Sequence, residues 1–492
     1  MEITLISVND VVYDYGFRSL SAFMKKNNYQ TNLVFLNIEN KELSGDIIWE
    51  TLEICSNSIL IGVSLLTHGF PKAVTITRFL KKFYPNIPVI WGGIHPSGAP
   101  YECIEFADMV CLGEGEGTLL EVANKMSQGE PLDHVNNIFY KNKDGNYIKN
   151  TVRPLIYDMD SLPFQDYSLD SDYVTINNKL VKLDDALLKS VNLYYPFGGM
   201  GYVYVTMTSR GCPFNCTFCC NNVFRNIYAG KGKFVRKRSI ENIINEVKSA
   251  KKRLPFISSI LFDDSSFLHR SVEEIRDFSD IYKKEVDLPF GIEMNPVEAS
   301  NEKIRLLKGA GLTLVHLGIQ SGNEYIRKTI YKRNTPEEAI LKANKILTDH
   351  KILHKCDLII DTPFDNDSEA SLRLIKKFKP YFSTNVYSLM VYPGAEIKSI
   401  IEELGYKEWI SKIDRDRSYL EIVTDDAYAL VLKLYQIFPP NKILFKIIHH
   451  VINTKPCLMV LKIAMVRKLL IFPFIVFNHI RFLLKRAQKK QL

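Results

Sequence analysis

After Asp426 the sequence contains no aspartate or glutamate. The twelve lysines and arginines beyond that point exceed the net charge of +8 carried by the whole chain. The first 426 residues are therefore slightly acidic, and the basic balance belongs to the tail alone. That excludes nucleic acid as a partner of the body of the protein, which would need a basic face on a folded domain. No secretory leader is recognisable: "MEITLISVND" starts with an acidic residue and continues as a strand. The expected location is the cytoplasm, where thiols stay reduced. The nine cysteines are odd in number and lack pairing intervals, which argues against a disulfide framework. There is no low-complexity tract and no repeat beyond alternating strands and helices. Nor is there an uninterrupted apolar run of roughly 20 residues, the length that spans a bilayer. The nearest is "KLLIFPFIVFNHIRFLLKR" (468–486), which is broken by Pro473, Asn478, His479 and Arg481. Two placements suit it. One is a helix lying at the inner face of a membrane, drawn by acidic lipids. The other is a buried helix packed on the preceding domain with a solvated basic end.

A chain of 492 residues exceeds one core and allows about three domains. Residues 1–145 carry strand patterns at 3–8, 31–38, 58–66, 87–93 and 107–117. Helical patterns at 16–27, 71–85 and 118–129 separate them. This alternation predicts a parallel, doubly wound, Rossmann-like sheet, whose ligands sit outside the carboxyl ends of its strands. Residues 146–200, rich in Pro, Asp, Ser and Tyr, read as an extended linker. From 201 to 400, six more strand patterns (202–210, 258–265, 288–295, 312–321, 355–361 and 384–393) alternate with helices. They predict a partial β/α barrel with its active site at the C-terminal strand ends. One helix start is explicit, with Thr335 as N-cap, Pro336 in the first helical position and Glu338 in the third. Residues 401–492 read as a helical, increasingly basic region cut by Pro439, Pro440 and Pro456. The fold class expected is thus α/β.

Four cysteines crowd into "RGCPFNCTFCC" (210–220), directly after the first barrel strand. Cys212, Cys216 and Cys219 follow a C-x3-C-x2-C spacing. Thiolates are soft ligands that suit zinc or iron–sulfur clusters. A structural zinc site closes with four ligands. Cys220 is a poor fourth, because adjacent residues project in different directions, and no nearby histidine replaces it. Three thiolates on a [4Fe–4S] cluster would leave one iron open to a substrate.

This spacing, with Phe218 before the last cysteine, resembles the radical S-adenosylmethionine (SAM) family. The resemblance implies a [4Fe–4S] cluster on the three cysteines and SAM on the open iron. It also implies reductive cleavage of SAM to a 5′-deoxyadenosyl radical that activates a C–H bond. Further segments agree in order. "LFDDSSF" (261–267) resembles the second-strand end, with Asp263 and Asp264 facing the site. "IEMNP" (292–296) supplies Glu293 and Asn295, and "LGIQSGNEYIRKTIYKRNT" (317–335) supplies Gln320, Ser321 and Arg327. These residues, with Phe218, are the implied SAM contacts. One departure stands out: where the family often has a glycine-rich turn after strand five, this chain reads "IIDTPFDND", with Asp361 and Phe364 in place of small residues.

The first domain resembles cobalamin-binding domains. Ser64, Leu66 and the adjoining Thr67 stand at one strand end, Gly92, Gly93 and His95 at the next, and Gly113, Glu114, Gly115 and Glu116 at the one after. The resemblance implies that these accept cobalamin. The family's lower-ligand motif D-x-H-x-x-G is missing. Alignment on Gly16 puts Tyr13 at the histidine place and Val11 at the aspartate place, so no histidine is offered to cobalt from there. This pattern is similar to cobalamin-dependent radical SAM enzymes. They imply methylation of an unactivated carbon, or else a cyclisation, rearrangement or oxidation that uses cobalamin differently. Outside enzymes, the alternative is a membrane-attached corrinoid-binding or sensor protein. The partners expected are a small-molecule or lipid-like substrate and an electron donor such as flavodoxin or ferredoxin. The chain is expected to be a monomer.

Overall fold

The computed structural model describes residues 1–9, 11–36, 42–191, 201–412 and 426–437. The apolar basic segment at 468–486 lies outside the described residues. The first sheet is built from β1 (Glu2–Ser7), β2 (Gln30–Phe35), β3 (Ser58–Ser64), β4 (Val89–Gly92) and β5 (Met109–Cys111). Their continuous apolar runs are covered on both faces, as parallel strands require. The helix Tyr15–Lys26 starts at Asp14, whose carboxylate accepts from the Phe17 N–H at 3.1 Å. It packs Phe17 and Met24 on one face with Leu119 and Val122. Ile47, Leu52, Ile76 and Leu80 cover the other.

The sheet is larger than the sequence suggested. Among the described residues its order is β7-β6-β5-β4-β3-β1-β2-β8-β9, with β6 (Ile138–Lys141), β7 (Tyr147–Lys149), β8 (Asp172–Ile176) and β9 (Lys179–Lys182). Residues 146–200 are therefore more than an extended linker: they carry β7, β8, β9 and the helix Asp185–Val191. The reason is electrostatic as well as hydrophobic. Arg18 is fully buried and lies over the rings of Phe35 and Tyr167. Asp172 on β8 meets its guanidinium at 2.9 Å. A buried cation without that partner would be costly, so β8 docks beside β2.

The second unit opens with β10 (Tyr202–Thr206) and a short antiparallel pair, β11 (Ser209–Arg210) with β12 (Arg236–Lys237). It continues with β13 (Ile257–Phe262), β14 (Phe290–Met294), β15 (Leu312–Gln320), β16 (Leu353–Ile360) and β17 (Phe382–Ser388). Six parallel strands run β10-β13-β14-β15-β16-β17 in chain order, and the ends do not pair. The result is a curled, open half-barrel. Phe262, Phe290, Ile292, Leu317 and Leu358 point outward into the core under the helices. The intervening residues face the hollow, as strand alternation dictates.

One helix start differs from expectation. The helix runs Glu337–Asp349 with Pro336 at the cap. Thr335 is drawn away: its N–H bonds the Arg333 carbonyl, and its hydroxyl bonds Asn295 Oδ1 at 3.2 Å. The helix Ala427–Ile437 packs on β17, where the Thr384 hydroxyl donates to the Leu432 carbonyl at 2.6 Å. Among the described residues no helix is long and apolar enough to cross a membrane.

Candidate active site between the sheet and the half-barrel

A cavity of about 760 Å³ lies between the two units. The strand ends of both open into it. From the sheet come Ser64, Leu66, Gly92, Gly93, Gly113 and Gly115. Gly93 has φ +106°, and a Cβ there would come within 3.0 Å of the Leu65 carbonyl oxygen. Glycine suits both this left-handed backbone and its close packing on the preceding strand end. Asn9 holds the turn after β3 by accepting from the Leu66 N–H at 2.8 Å. From the barrel come Arg210, Cys219, Cys220, Asp263 and Glu293. Tyr13 and Tyr15 also line the cavity; the loop that bears them leaves the sheet and rests on Val203, Val205 and Leu261 inside the barrel.

Four of the residues expected at the corrinoid do something else with their side chains. Glu114 and Glu116 border the cavity, but their carboxylates are engaged across the domain boundary. Arg210 donates to Glu114 at 3.1 Å and to Glu116 at 2.6 Å. Arg236 donates to the same Glu114 oxygen at 2.8 Å. Burial pushes the Glu116 carboxyl up, yet Arg210 outweighs it and holds the group below the usual carboxylate range. His95 and Thr67 are buried away from the cavity wall and face each other at 3.2 Å. His95 is buried, with its Nε2 3.9 Å from Glu102.

The cysteine segment is shaped by its neighbours. Gly211 has φ +85°, and a Cβ there would lie 2.2 Å from the Phe234 carbonyl oxygen. Only glycine allows this close passage. Arg225 donates to the Cys212 carbonyl at 2.5 Å, and the Thr217 hydroxyl to the Ile330 carbonyl at 2.8 Å. Cys212 and Cys216 are buried, while Cys219 reaches the cavity. Burial pushes the Cys212 thiol up to about 12. The Cys220 thiol, donating to Cys219, is the chief influence that lowers the Cys219 thiol. Arg333 places Nη1 3.5 Å from Cys216 Sγ. Among the described residues no three His, Cys, Asp or Glu side chains converge as ligands of a single metal ion. Three cysteines on one short segment are soft donors of the kind that hold an iron–sulfur cluster.

The residues expected at SAM divide. Asp263 and Glu293 line the cavity. Asp264 points the other way, as the next residue along an extended strand end must. It is fully buried and accepts from Thr208 N at 2.9 Å, Thr208 Oγ1 at 2.7 Å and Ser209 Oγ at 2.7 Å. Asn295 is buried beside the barrel mouth; its Oδ1 accepts from Thr335, and its Nδ2 is unbonded among the described residues. Gln320 ends β15 with φ +74°. Ser321 and Arg327 are buried behind this turn, with Ser321 on Asp367 at 2.5 Å and Arg327 on the Ser321 carbonyl at 2.7 Å. Phe218 sits edge-on to Tyr331 at 5.0 Å in an apolar cluster that also contains Phe364. Asp361, with φ +54°, accepts from the Ser388 hydroxyl. Arg210, Arg333 and Tyr15 were not singled out from the sequence. Arg210 stands beside the cysteine motif, but nothing marks an arginine there as a clamp, and Tyr15 and Arg333 lie far from it in the chain.

A Rossmann-like sheet with glycine turns, facing an open barrel that bears C-x3-C-x2-C, defines a two-domain class in which two ligand sites share one cavity. Residues 1–123 match the B12 binding domain, and residues 206–375 match the radical SAM superfamily. The chain belongs to the cobalamin-binding radical SAM enzymes, whose cofactors are a [4Fe–4S] cluster, SAM and cobalamin. An uncharacterized methyltransferase of Pyrococcus horikoshii is 29% identical over 69% of this chain and 68% of its own. The anaerobic magnesium-protoporphyrin IX monomethyl ester cyclase of Rubrivivax gelatinosus is 23% identical over 83% of this chain and 69% of its own. The fold is similar to that of the radical SAM methyltransferase TsrM of Kitasatospora setae, solved with cobalamin and a [4Fe–4S] cluster. That similarity has a TM-score of 0.62 at 16% identity, over 82% of this chain and 78% of that one.

Proposed function

We propose that this enzyme transfers a methyl group to an unactivated carbon of a small molecule. The observation that carries the reading is the single cavity joining the glycine turns of the sheet to Cys219, Asp263 and Glu293 of the barrel. Cys212, Cys216 and Cys219 would hold the cluster. Asp263, Glu293, Asn295 and Gln320 would hold SAM. Ser64, Leu66, Gly92, Gly93, Gly113 and Gly115 would hold cobalamin through backbone approach. When bound, these groups supply an electron, a hydrogen-abstracting radical and a methyl carrier. The chain itself orients them and keeps water out. Arg210 fixes the start of the cysteine loop against Glu116 at 2.6 Å. Arg333 offsets the negative charge of the thiolates. Tyr13, which lines the cavity, stands in the sequence where the family's histidine motif would fall, so that motif offers no histidine. The methyltransferase names of two relatives support methylation. The long match to a cyclase supports cyclisation as a second reading.

Anaerobic reconstitution with iron, sulfide, cobalamin and SAM tests the proposal. Release of 5′-deoxyadenosine under reduction, lost in Cys212→Ala, is expected. With SAM labelled in its methyl group, labelled product in extracts of the native host supports methylation. An unlabelled product with a new ring supports cyclisation instead. Cys220→Ala is expected to retain the cluster absorbance; loss of iron from it alone would overturn the ligand assignment.

A further inference from the structure

Consecutive barrel strands turn polar side chains into the hollow at one level. The register sets Glu293 beside His316, His316 beside Lys355, and Lys355 beside Ser383. Asp263, just past the end of β13, acts on Glu293 as a neighbouring negative charge. Two residues further along their strands, Asp357 and Asn385 stand side by side. Barrel interiors are ordinarily filled by branched apolar side chains. A polar row there is expensive unless each member finds a partner. The cavity reaches this row at Asp263 and Glu293.

His316 is only 7% exposed. Its Nδ1 stands 3.4 Å from Asn385 Nδ2 and 3.9 Å from Asp357 Oδ1, the latter too far to bond. Asn385 Nδ2 also donates to Asp357 Oδ1 at 3.0 Å. A carboxylate only accepts, so the NH₂ end of the Asn385 amide faces both groups. Nδ1 must therefore accept, and the ring proton sits on Nε2. Nε2 lies on the ring edge away from the backbone, on the inner side of the strands that also bears Glu293, and is itself buried. No group among the described residues bonds it. A buried N–H left without an acceptor costs about 1–3 kcal/mol.

We propose that His316 forms a subsite that donates a hydrogen bond to a carbonyl or carboxylate oxygen of the substrate. Burial, then the charges of Asp263 and Asp357, raise the neighbouring Glu293 carboxyl well above its usual range. Asp357 and Asn385 are positioning residues that fix the tautomer of His316. The subsite rests on the proposed function only in taking the barrel hollow as the substrate side.

The test uses the full chain with nitrogen-15 in its ten histidines. His316 is identified by the signal lost in His316→Gln or, if that variant does not fold, by the signal changed in Asn385→Leu. The probes are N-methylacetamide, acetate and methylammonium. In the free protein His316 is expected as the Nε2–H tautomer. Its signal should shift saturably with one of the two oxygen probes and not with methylammonium; the probe that acts tells a neutral carbonyl from a carboxylate. Asn385→Leu keeps the imidazole, should mix its tautomers, and should weaken the response about tenfold. An Nδ1–H tautomer, no saturable shift with either oxygen probe, or an equal shift with methylammonium overturns the subsite. Release of 5′-deoxyadenosine by the wild-type protein is scored separately. Release without an NMR response removes the subsite alone; a response without release removes the functional reading alone.

Discussion

Asp367 is buried behind the turn that ends β15, where it accepts from Ser321 and Thr362. Burial raises its carboxyl to about 6, against about 4 in an unfolded chain. The folded state therefore holds the proton more tightly than the unfolded one. The stability this confers is fully present below about pH 4 and is lost as pH rises through about 6, a difference of about 3 kcal/mol. Asp367→Asn is expected to flatten the urea midpoint between those pH values; an unchanged slope would remove this assignment. Gly211 gives a second prediction at this scale. Gly211→Ala forces an alanine to φ +85° against the Phe234 carbonyl, a strain on the order of 1–3 kcal/mol. The expected result is a reconstituted protein with reduced iron content at nearly native helix content by circular dichroism.

Among the elements, β8 shows how one buried charge recruits a strand. Arg18 on the first helix and Asp172 on β8 are both fully buried and 2.9 Å apart. Removing one partner leaves the other unpaired, at a cost of about 3–5 kcal/mol. Arg18→Leu should lower the denaturation midpoint accordingly. Arg18→Leu with Asp172→Leu should recover much of the loss, since two apolar groups need no pairing. Equal destabilisation by the single and double variants would show that the pair is not what seats β8.

For the whole molecule, the two units are clamped by charge at the rim of their shared cavity. Arg210 and Arg236 from the β11–β12 pair hold Glu114 and Glu116 from the sheet. Glu114 also accepts from the Ile156 N–H, so the segment leading from one unit to the other is tied into the same knot. Arg210→Ala leaves Glu116 largely buried without its cation, at a cost of about 2–5 kcal/mol. Faster hydrogen exchange is expected in 113–117 and 209–212, with weaker binding of hydroxocobalamin. Unchanged exchange in both segments would mean that the clamp contributes nothing. Charge reversal at both positions, Arg210→Glu with Glu116→Arg, should restore part of the protection.

The sequence by itself determined the two α/β units, their order and the cysteine spacing. Those follow from apolar periodicity and from intervals within one short segment, both local quantities. It also marked Ser64, Gly92, Gly93 and Gly113, because a ligand-facing turn after a strand needs small residues wherever it occurs. Tertiary structure alone decided what the charged side chains do. Glu114 and Glu116 line the cavity and also hold Arg210, a partner across a domain boundary that no local pattern encodes. Asp263 and Asp264 look alike in sequence; strand alternation sends the first to the cavity and the second into the Thr208–Ser209 turn. His316, Asp357 and Asn385 carry no motif, and only the curl of six parallel strands brings them together. Packing partners distant in the chain set the orientation and pairing of a polar side chain, so its role is fixed only once the fold has closed.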